Sequence, residues 1–70
     1  MKDADLYRKL GHRIETLRKG AGLTQEELAE RADLHRAYFW DIEHGRNISI
    51  KTAHKIATAL KISLKDLFDF

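Results

Sequence analysis

The side chains with the widest range of chemistry in this 70-residue sequence lie between positions 35 and 44. If this segment is helical, one face of roughly 140° gathers a guanidinium, a methyl group, an indole, a carboxylate and an imidazole. The residues of this face are Arg36, Ala37, Trp40, Asp41 and His44. Phe39 and Ile42 fall on the opposite side, where a core would take them. Because so diverse a set is costly on a surface that meets only solvent, we predict that this face binds a partner.

Two other uses of these side chains, metal binding and catalysis, are not favoured. No two of the four histidines have a ligand spacing such as His-x-x-x-His, and the sequence has no cysteine. We therefore expect no metal and no other cofactor. Asp41, Glu43 and His44 are close in sequence, but a helical chain of this size offers no enclosed pocket in which to shift their pKa values. We therefore expect no enzyme.

Five short helices and no strand are predicted to position the binding face. Apolar residues at helical spacing and capping residues place them at about 5–19, 24–31, 35–44, 49–60 and 63–68. Thr24 and Glu27 form a capping box, Ser49 caps the fourth helix, and Ser63 opens the fifth with a similar pattern. The apolar face of the fourth helix is predicted to be Ile50, Ala53, Ile56, Ala57 and Leu60. The expected fold is one compact all-α domain over residues 1–70.

The charge is unevenly distributed along the chain. The net charge of +2 is too small to indicate nucleic acid by itself. Residues 7–20 carry five basic residues against one acid, whereas residues 24–33 carry four acids against one base. The sequence has no apolar run of about 18 residues and no signal-peptide pattern. We therefore expect a cytoplasmic protein, associated with the nucleoid if it binds DNA, and without membrane contact.

The second and third helices, at about 24–44, form a recognisable pair. Two helices joined by a tight turn, with the second exposing a polar face near its N-terminus, have the form of a helix-turn-helix. The second helix of that motif fits the DNA major groove, which is about 12 Å wide. The predicted partner of the face is therefore double-stranded DNA.

Two sequence motifs sharpen this interpretation. Leu-Thr-Gln-Glu-Glu-Leu-Ala at 23–29 and Ile-Glu-His-Gly at 42–45 resemble the Cro/repressor-type (xenobiotic-response-element type) helix-turn-helix family, and the resemblance extends over about residues 10–68. Within that family, residues 34–38 and 46–50 look most like the controller proteins of restriction-modification systems. The resemblance implies a five-helix, lambda-repressor-like DNA-binding domain.

The resemblance also implies roles for individual residues. The residues matching base-reading positions are Arg36, Ala37 and Asp41, to which we add Trp40 with an undecided contact. The residues matching phosphate-contacting positions are Thr24, Gln25, Tyr38, His44, Arg46 and Asn47. Arg18 and Glu43 match a structural ion pair that ties the first helix to the end of the third.

Similar proteins dimerise through the last helix and its flank. Here that region supplies Leu64, Leu67, Phe68 and Phe70. The implied function is a homodimeric transcriptional regulator that binds two half-sites about one turn, near 34 Å, apart. The resemblance to controller proteins implies action on the protein's own promoter and on the endonuclease gene, with activation at low level and repression at high level. We expect control to come from protein concentration and from contact with, or occlusion of, RNA polymerase.

The sequence departs from the family pattern in three places. Trp40 stands where a small polar residue is common. His35 replaces the usual Ser or Thr cap of the third helix, which leaves capping to Asp33 or to the imidazole. The loop 45–49 is one residue shorter than the common form.

Two alternatives to a controller protein remain. The first is a prophage or chromosomal repressor of the same family. The second is a protein-interaction module such as an antitoxin, with Phe39 and Trp40 as the aromatic residues that dominate binding.

Overall fold

Residues 3–70, which the computed structural model describes, fold into five helices. In chain order these are α1 (Asp3–Gly20), α2 (Gln25–Arg31), α3 (Arg36–Glu43), α4 (Ile50–Ala59) and α5 (Leu64–Leu67). No strand occurs in that range, and none of its helices is long and apolar enough to cross a membrane. The all-α prediction is confirmed, and no predicted helix end is wrong by more than two residues.

Three of the helices begin at the predicted caps. The Thr24 hydroxyl accepts from the Glu27 amide at 3.0 Å, and the Glu27 carboxylate accepts from the Thr24 amide at 2.9 Å, which completes the capping box. Ser49 accepts from the Thr52 amide, and Ser63 accepts from the Asp66 amide. The pKa of Glu27 is lowered mainly by the hydrogen bond with the Thr24 backbone and secondly by the hydrogen bond with the Thr24 side chain, because both favour the charged carboxylate.

The start of α3 differs from the prediction. His35 is the N-cap residue, but its imidazole makes no capping hydrogen bond. Asp33 lies two residues earlier, in the turn, at a φ of 58°, so it is not the N-cap residue either. The prediction of a side-chain cap from His35 or Asp33 is wrong, and α3 begins without a side-chain cap.

The core lies where all five helices meet. Its largest fully buried side chains are Ile14, Leu28, Phe39, Ile42, Ile56 and Leu67. Phe39 and Ile42 therefore face inward as predicted, which also removes Phe39 as a contact for a partner protein. Ile50 was assigned to the apolar face of α4 but is 66% exposed. It is the first residue of α4, one turn before the buried Ala53, and lies beyond the edge of the core.

A glycine sets the distance between α1 and the end of α3. A Cβ atom on Gly11 would stand 2.6 Å from the Ile42 carbonyl oxygen and 2.7 Å from that of Glu43. These distances are shorter than any side chain tolerates, so only glycine lets the two backbones approach this closely. The contact fixes the C-terminal end of α3 against α1.

Candidate nucleic-acid interface

The start of α3 and the start of α2 meet in a surface groove, called here the α2–α3 groove. Its lining residues are Thr24, Gln25, Glu26, Arg36, Ala37 and Trp40. Five of these six were assigned to DNA contact from the sequence, and Glu26 was not. The fold therefore brings predicted base-reading and phosphate-contacting residues together on one open surface.

Arg36 is held by Glu26 across the α2–α3 groove. Its Nη1 donates to Glu26 Oε2 at 2.8 Å, and both side chains are 68% exposed. No pattern in the sequence predicts this pair, because the partners lie ten positions apart on different helices. The contact leaves the edge of the guanidinium formed by Nε and Nη2 without a carboxylate partner among the described residues.

Trp40 and His44 form a stacked pair one helical turn apart. Their ring centroids are 3.6 Å apart and the ring planes are 14° from parallel. His44 Nδ1 lies 2.7 Å from the Trp40 carbonyl oxygen, which can only accept, so the ring carries its proton on Nδ1. The stack holds the indole on the outer face of α3, where it is 49% exposed.

Asp41 and Tyr38 are joined through Arg46, which follows α3. Arg46 Nη1 lies 3.3 Å from Asp41 Oδ2, and the guanidinium carbon lies 4.8 Å from the centre of the Tyr38 ring. Asp41, assigned to base reading, is therefore engaged with a residue assigned to phosphate contact. Asn47 is exposed in the loop that follows.

A buried ion pair fixes these helices from behind. Arg18 Nε and Nη2 donate to the two carboxylate oxygens of Glu43 at 2.7 and 3.2 Å, and the side chains are only 9% and 0% exposed. The predicted ion pair is confirmed. The remaining nitrogen of the guanidinium, Nη1, donates to the Leu23 carbonyl oxygen at 2.8 Å.

Gln25 has a structural role that sequence reasoning missed. Its Nε2 donates to Glu43 Oε1 at 2.8 Å. Glu43, the last residue of α3, is therefore bonded both to Arg18 of α1 and to Gln25, the first residue of α2. This network fixes the two helices of the α2–α3 groove relative to each other.

The C-terminal region divides into core and surface. Leu67 is fully buried within the chain, so its assignment to a dimer interface is corrected: it offers no side-chain surface to a partner. Phe68 and Phe70 are 36% and 50% exposed, with ring centres 6.3 Å apart. Leu64 is half-buried.

Metal-ligating side chains do not converge in residues 3–70. No three histidine, aspartate or glutamate side chains there are placed to hold a metal ion together. His44 is engaged with Trp40, and His12 lies 3.9 Å from Glu15 on α1.

Comparison with known proteins shows the family to which this chain is related. Control protein C.BamHI of Bacillus amyloliquefaciens is 44% identical over 62 residues, which cover 86% of this chain and 76% of that protein. The crystal structure of the restriction-modification controller protein C.AhdI from Aeromonas hydrophila superposes with a TM-score of 0.84 at 43% identity, over 91% of this chain and 97% of that one.

A further solved structure contains DNA. The biofilm regulator SinR in complex with DNA gives a TM-score of 0.79 at 35% identity, over 86% of this chain and 98% of that one. The family model described as helix-turn-helix matches residues 14–67, a range that contains the whole α2–α3 groove and the buried ion pair. The chain therefore belongs to the helix-turn-helix family of DNA-binding transcriptional regulators.

Proposed function

We propose that this protein binds operator half-sites as a homodimer, reads their sequence through the exposed face of α3, and controls the genes of a restriction-modification system. The observation that carries the proposal is the α2–α3 groove. It places an arginine with a free donor edge and an exposed methyl group at the start of α3, and an exposed indole one turn further along. The buried network fixes the end of the same helix. Such a surface suits the edges of bases in a major groove.

The residue roles follow from where the side chains stand. Arg36 is the guanine reader, because two adjacent guanidinium donors match guanine O6 and N7. Ala37 and Trp40 offer apolar surface to a thymine methyl, and Asp41 stands one turn on. Phosphate contacts are assigned to Thr24, Gln25, Tyr38, His44, Arg46 and Asn47. Such contacts fix register and affinity without reading sequence.

A dimer gives the specificity that one copy lacks. The longest dimension of the molecule is 31 Å, so two copies fit side by side on half-sites whose centres are one turn of DNA, about 34 Å, apart. A single recognition helix reads only a few base pairs, and two half-sites double that number. The exposed Phe68 and Phe70, with the half-buried Leu64, supply apolar surface for the contact.

Control of restriction-modification genes is supported by the likeness to C.AhdI, whose structure is that of a restriction-modification controller protein. Under this proposal the protein acts on the nucleoid in the cytoplasm. Its own concentration sets the response, through dimerisation and filling of neighbouring sites. Contact with RNA polymerase, or its occlusion at the promoter, transmits that response to transcription.

The test of base reading is Arg36→Ala, assayed by selection of bound duplexes from a randomised library. The variant should lose its preference at one position in each half-site, at a cost of about 1 to 3 kcal/mol. Arg31→Ala is the matched control, since it removes an exposed arginine at the far end of α2. An equal loss of affinity for all sequences would show that Arg36 does not read a base.

The test of the dimer is sedimentation equilibrium. Wild-type protein should sediment as a dimer, and replacement of both Phe68 and Phe70 by Ser should shift it to monomer. Leu6→Ser, which alters an apolar side chain of similar exposure on α1, should leave the dimer intact. A wild-type protein that is monomeric at high micromolar concentration would contradict the proposal.

A further inference from the structure

Glu26 is the one acidic residue among the six that line the α2–α3 groove. Under the proposed function it lies in the surface that meets DNA, where a carboxylate opposes binding of any DNA because the phosphates repel it. The other polar residues of the groove have partners elsewhere: Thr24 is bonded to Glu27, and Gln25 to Glu43. Glu26 alone is bonded to the guanidinium of Arg36.

We propose that Glu26 is a specificity-determining residue: it orients Arg36 for a guanine and weakens binding to all other sequences. The inference rests on the proposed function, in which Arg36 reads a base. Glu26 acts through Arg36 and is therefore a positioning residue. Its carboxylate also acts directly, as a charge that opposes phosphates.

The orienting role follows from which guanidinium nitrogen is bonded. Glu26 Oε2 takes the Nη1 donor at 2.8 Å. The Nε and Nη2 donors lie side by side on the other edge of the fork, and two adjacent donors are what guanine O6 and N7 require. The carboxylate and the base thus engage opposite edges of one planar group. An exposed arginine is otherwise free to sample many rotamers, and the ion pair limits that freedom before DNA binds.

The discriminating role follows from charge. While Glu26 holds Arg36, the pair presents little net charge to a phosphate, so the groove gains little from non-specific DNA. A guanine at the right position bonds the free edge of Arg36 and offsets the repulsion of the carboxylate. Other bases leave the free edge of Arg36 without matching acceptors, so the repulsion between Glu26 and the phosphates is not offset. Selectivity of this kind arises from a penalty on the wrong partner as much as from attraction to the right one.

The experiment compares Glu26→Gln with Glu30→Gln. Both variants remove one negative charge from an exposed position of α2, but among residues 3–70 only Glu26 is paired with Arg36. Each protein is titrated with two duplexes, one selected from a randomised library by the wild type and one with the same bases in scrambled order. The quantity measured is the dissociation constant for the scrambled duplex divided by that for the selected duplex, at fixed salt concentration.

Glu26→Gln should lower this ratio about three- to tenfold, mainly by tightening binding to the scrambled duplex. Glu30→Gln should change it by less than about twofold. In an Arg36→Ala background, Glu26→Gln should leave the ratio unchanged, because the group that it positions is gone. An unchanged ratio in Glu26→Gln, an equal fall in Glu30→Gln, or a full effect without Arg36 would each overturn the inference.

The same data separate this inference from the proposed function. If Arg36→Ala alone leaves base preference intact, the proposed base reading fails and the inference fails with it. If Arg36→Ala relaxes the preference but Glu26→Gln leaves the ratio at the wild-type value, base reading stands and only the role of Glu26 is lost.

Discussion

Two arginine–glutamate pairs, one inside the molecule and one on its surface, have nearly equal shortest N–O distances and opposite surroundings, and only the inner pair is bidentate. The shortest contact is 2.7 Å between Arg18 and Glu43 and 2.8 Å between Arg36 and Glu26. The side chains of Arg18 and Glu43 are 9% and 0% exposed, whereas those of Arg36 and Glu26 are both 68% exposed. Surroundings, and not distance, therefore decide what each pair does.

The buried pair is useful because every charged atom in it has a partner. Glu43 accepts two hydrogen bonds from Arg18 and one from Gln25, and Arg18 donates once more to the Leu23 carbonyl oxygen. Removing one member would leave a charge in a place that water does not reach. Opening the surface pair costs little free energy, because water replaces either partner. The surface pair is therefore available to a ligand.

The largest expected effect is on the buried pair. Arg18→Met keeps most of the apolar stem and leaves the Glu43 carboxylate unpaired, which should lower the free energy of unfolding by about 3 to 5 kcal/mol. Arg36→Ala on the surface should change it by less than about 0.5 kcal/mol. Urea denaturation followed by circular dichroism measures both variants.

A double variant checks the cause of that loss. Arg18→Met combined with Glu43→Met removes both charges and should recover part of the lost stability, because an apolar pair of similar volume often replaces a buried ion pair at little cost. Equal unfolding midpoints for wild type and Arg18→Met would remove the distinction between the two ion pairs.

The next effect concerns the close approach that supports the buried pair. Gly11→Ala places a methyl group against the carbonyl oxygens of Ile42 and Glu43, and it should cost about 1 to 3 kcal/mol of stability by separating α1 from α3. Gly20→Ala is the matched control, since nothing outside its chain neighbours and its own helix backbone lies within 4 Å of its added Cβ. That variant should be neutral or more stable by about 0.4 to 1 kcal/mol. A Gly11→Ala protein as stable as wild type would show that α1 can move without loss.

Gln25 connects the buried pair to the α2–α3 groove, and its loss should have an intermediate effect. Gln25→Ala removes the hydrogen bond to Glu43 and should cost about 1 to 2 kcal/mol of stability. Asn47→Ala, which removes an exposed amide from a loop, should cost less than about 0.5 kcal/mol. If the Gln25 side chain also contacts a phosphate, binding to all sequences should weaken and its dependence on salt should flatten. Similar unfolding midpoints for the two variants would place Gln25 outside the supporting network.

The smallest expected effect on stability is at Glu27. Its carboxylate is exposed, and the hydrogen bonds with Thr24 lower its pKa. Because the pKa of Glu27 is lowered in the folded state, its charged carboxylate stabilises the fold at pH values above the ordinary glutamate pKa. This stabilisation is lost as the pH falls through the lowered pKa of the folded state. Glu27→Gln keeps an acceptor for Thr24 but cannot titrate. It should therefore lose slightly less stability than wild type between neutral and acidic pH. Identical acid profiles would show that the capping box is insensitive to its charge.

The sequence determined the features that depend on neighbours along the chain. Helical spacing and capping residues gave five helices to within two residues, and the Thr24–Glu27 capping box formed as expected. The wheel of residues 35–44 separated the buried Phe39 and Ile42 from the exposed Arg36, Ala37 and Trp40. The family resemblance supplied the one long-range contact that was predicted, between Arg18 and Glu43.

The tertiary structure decided which side chains meet across helices. It paired Arg36 with Glu26 and Gln25 with Glu43, placed Leu67 in the core and left Ile50 exposed. It also gave Gly11 its role, through backbone atoms more than thirty residues away. Spacing along one helix shows which face a side chain occupies. What that face touches depends on how closely and at what angle the helices cross, and the packing of the whole core sets both.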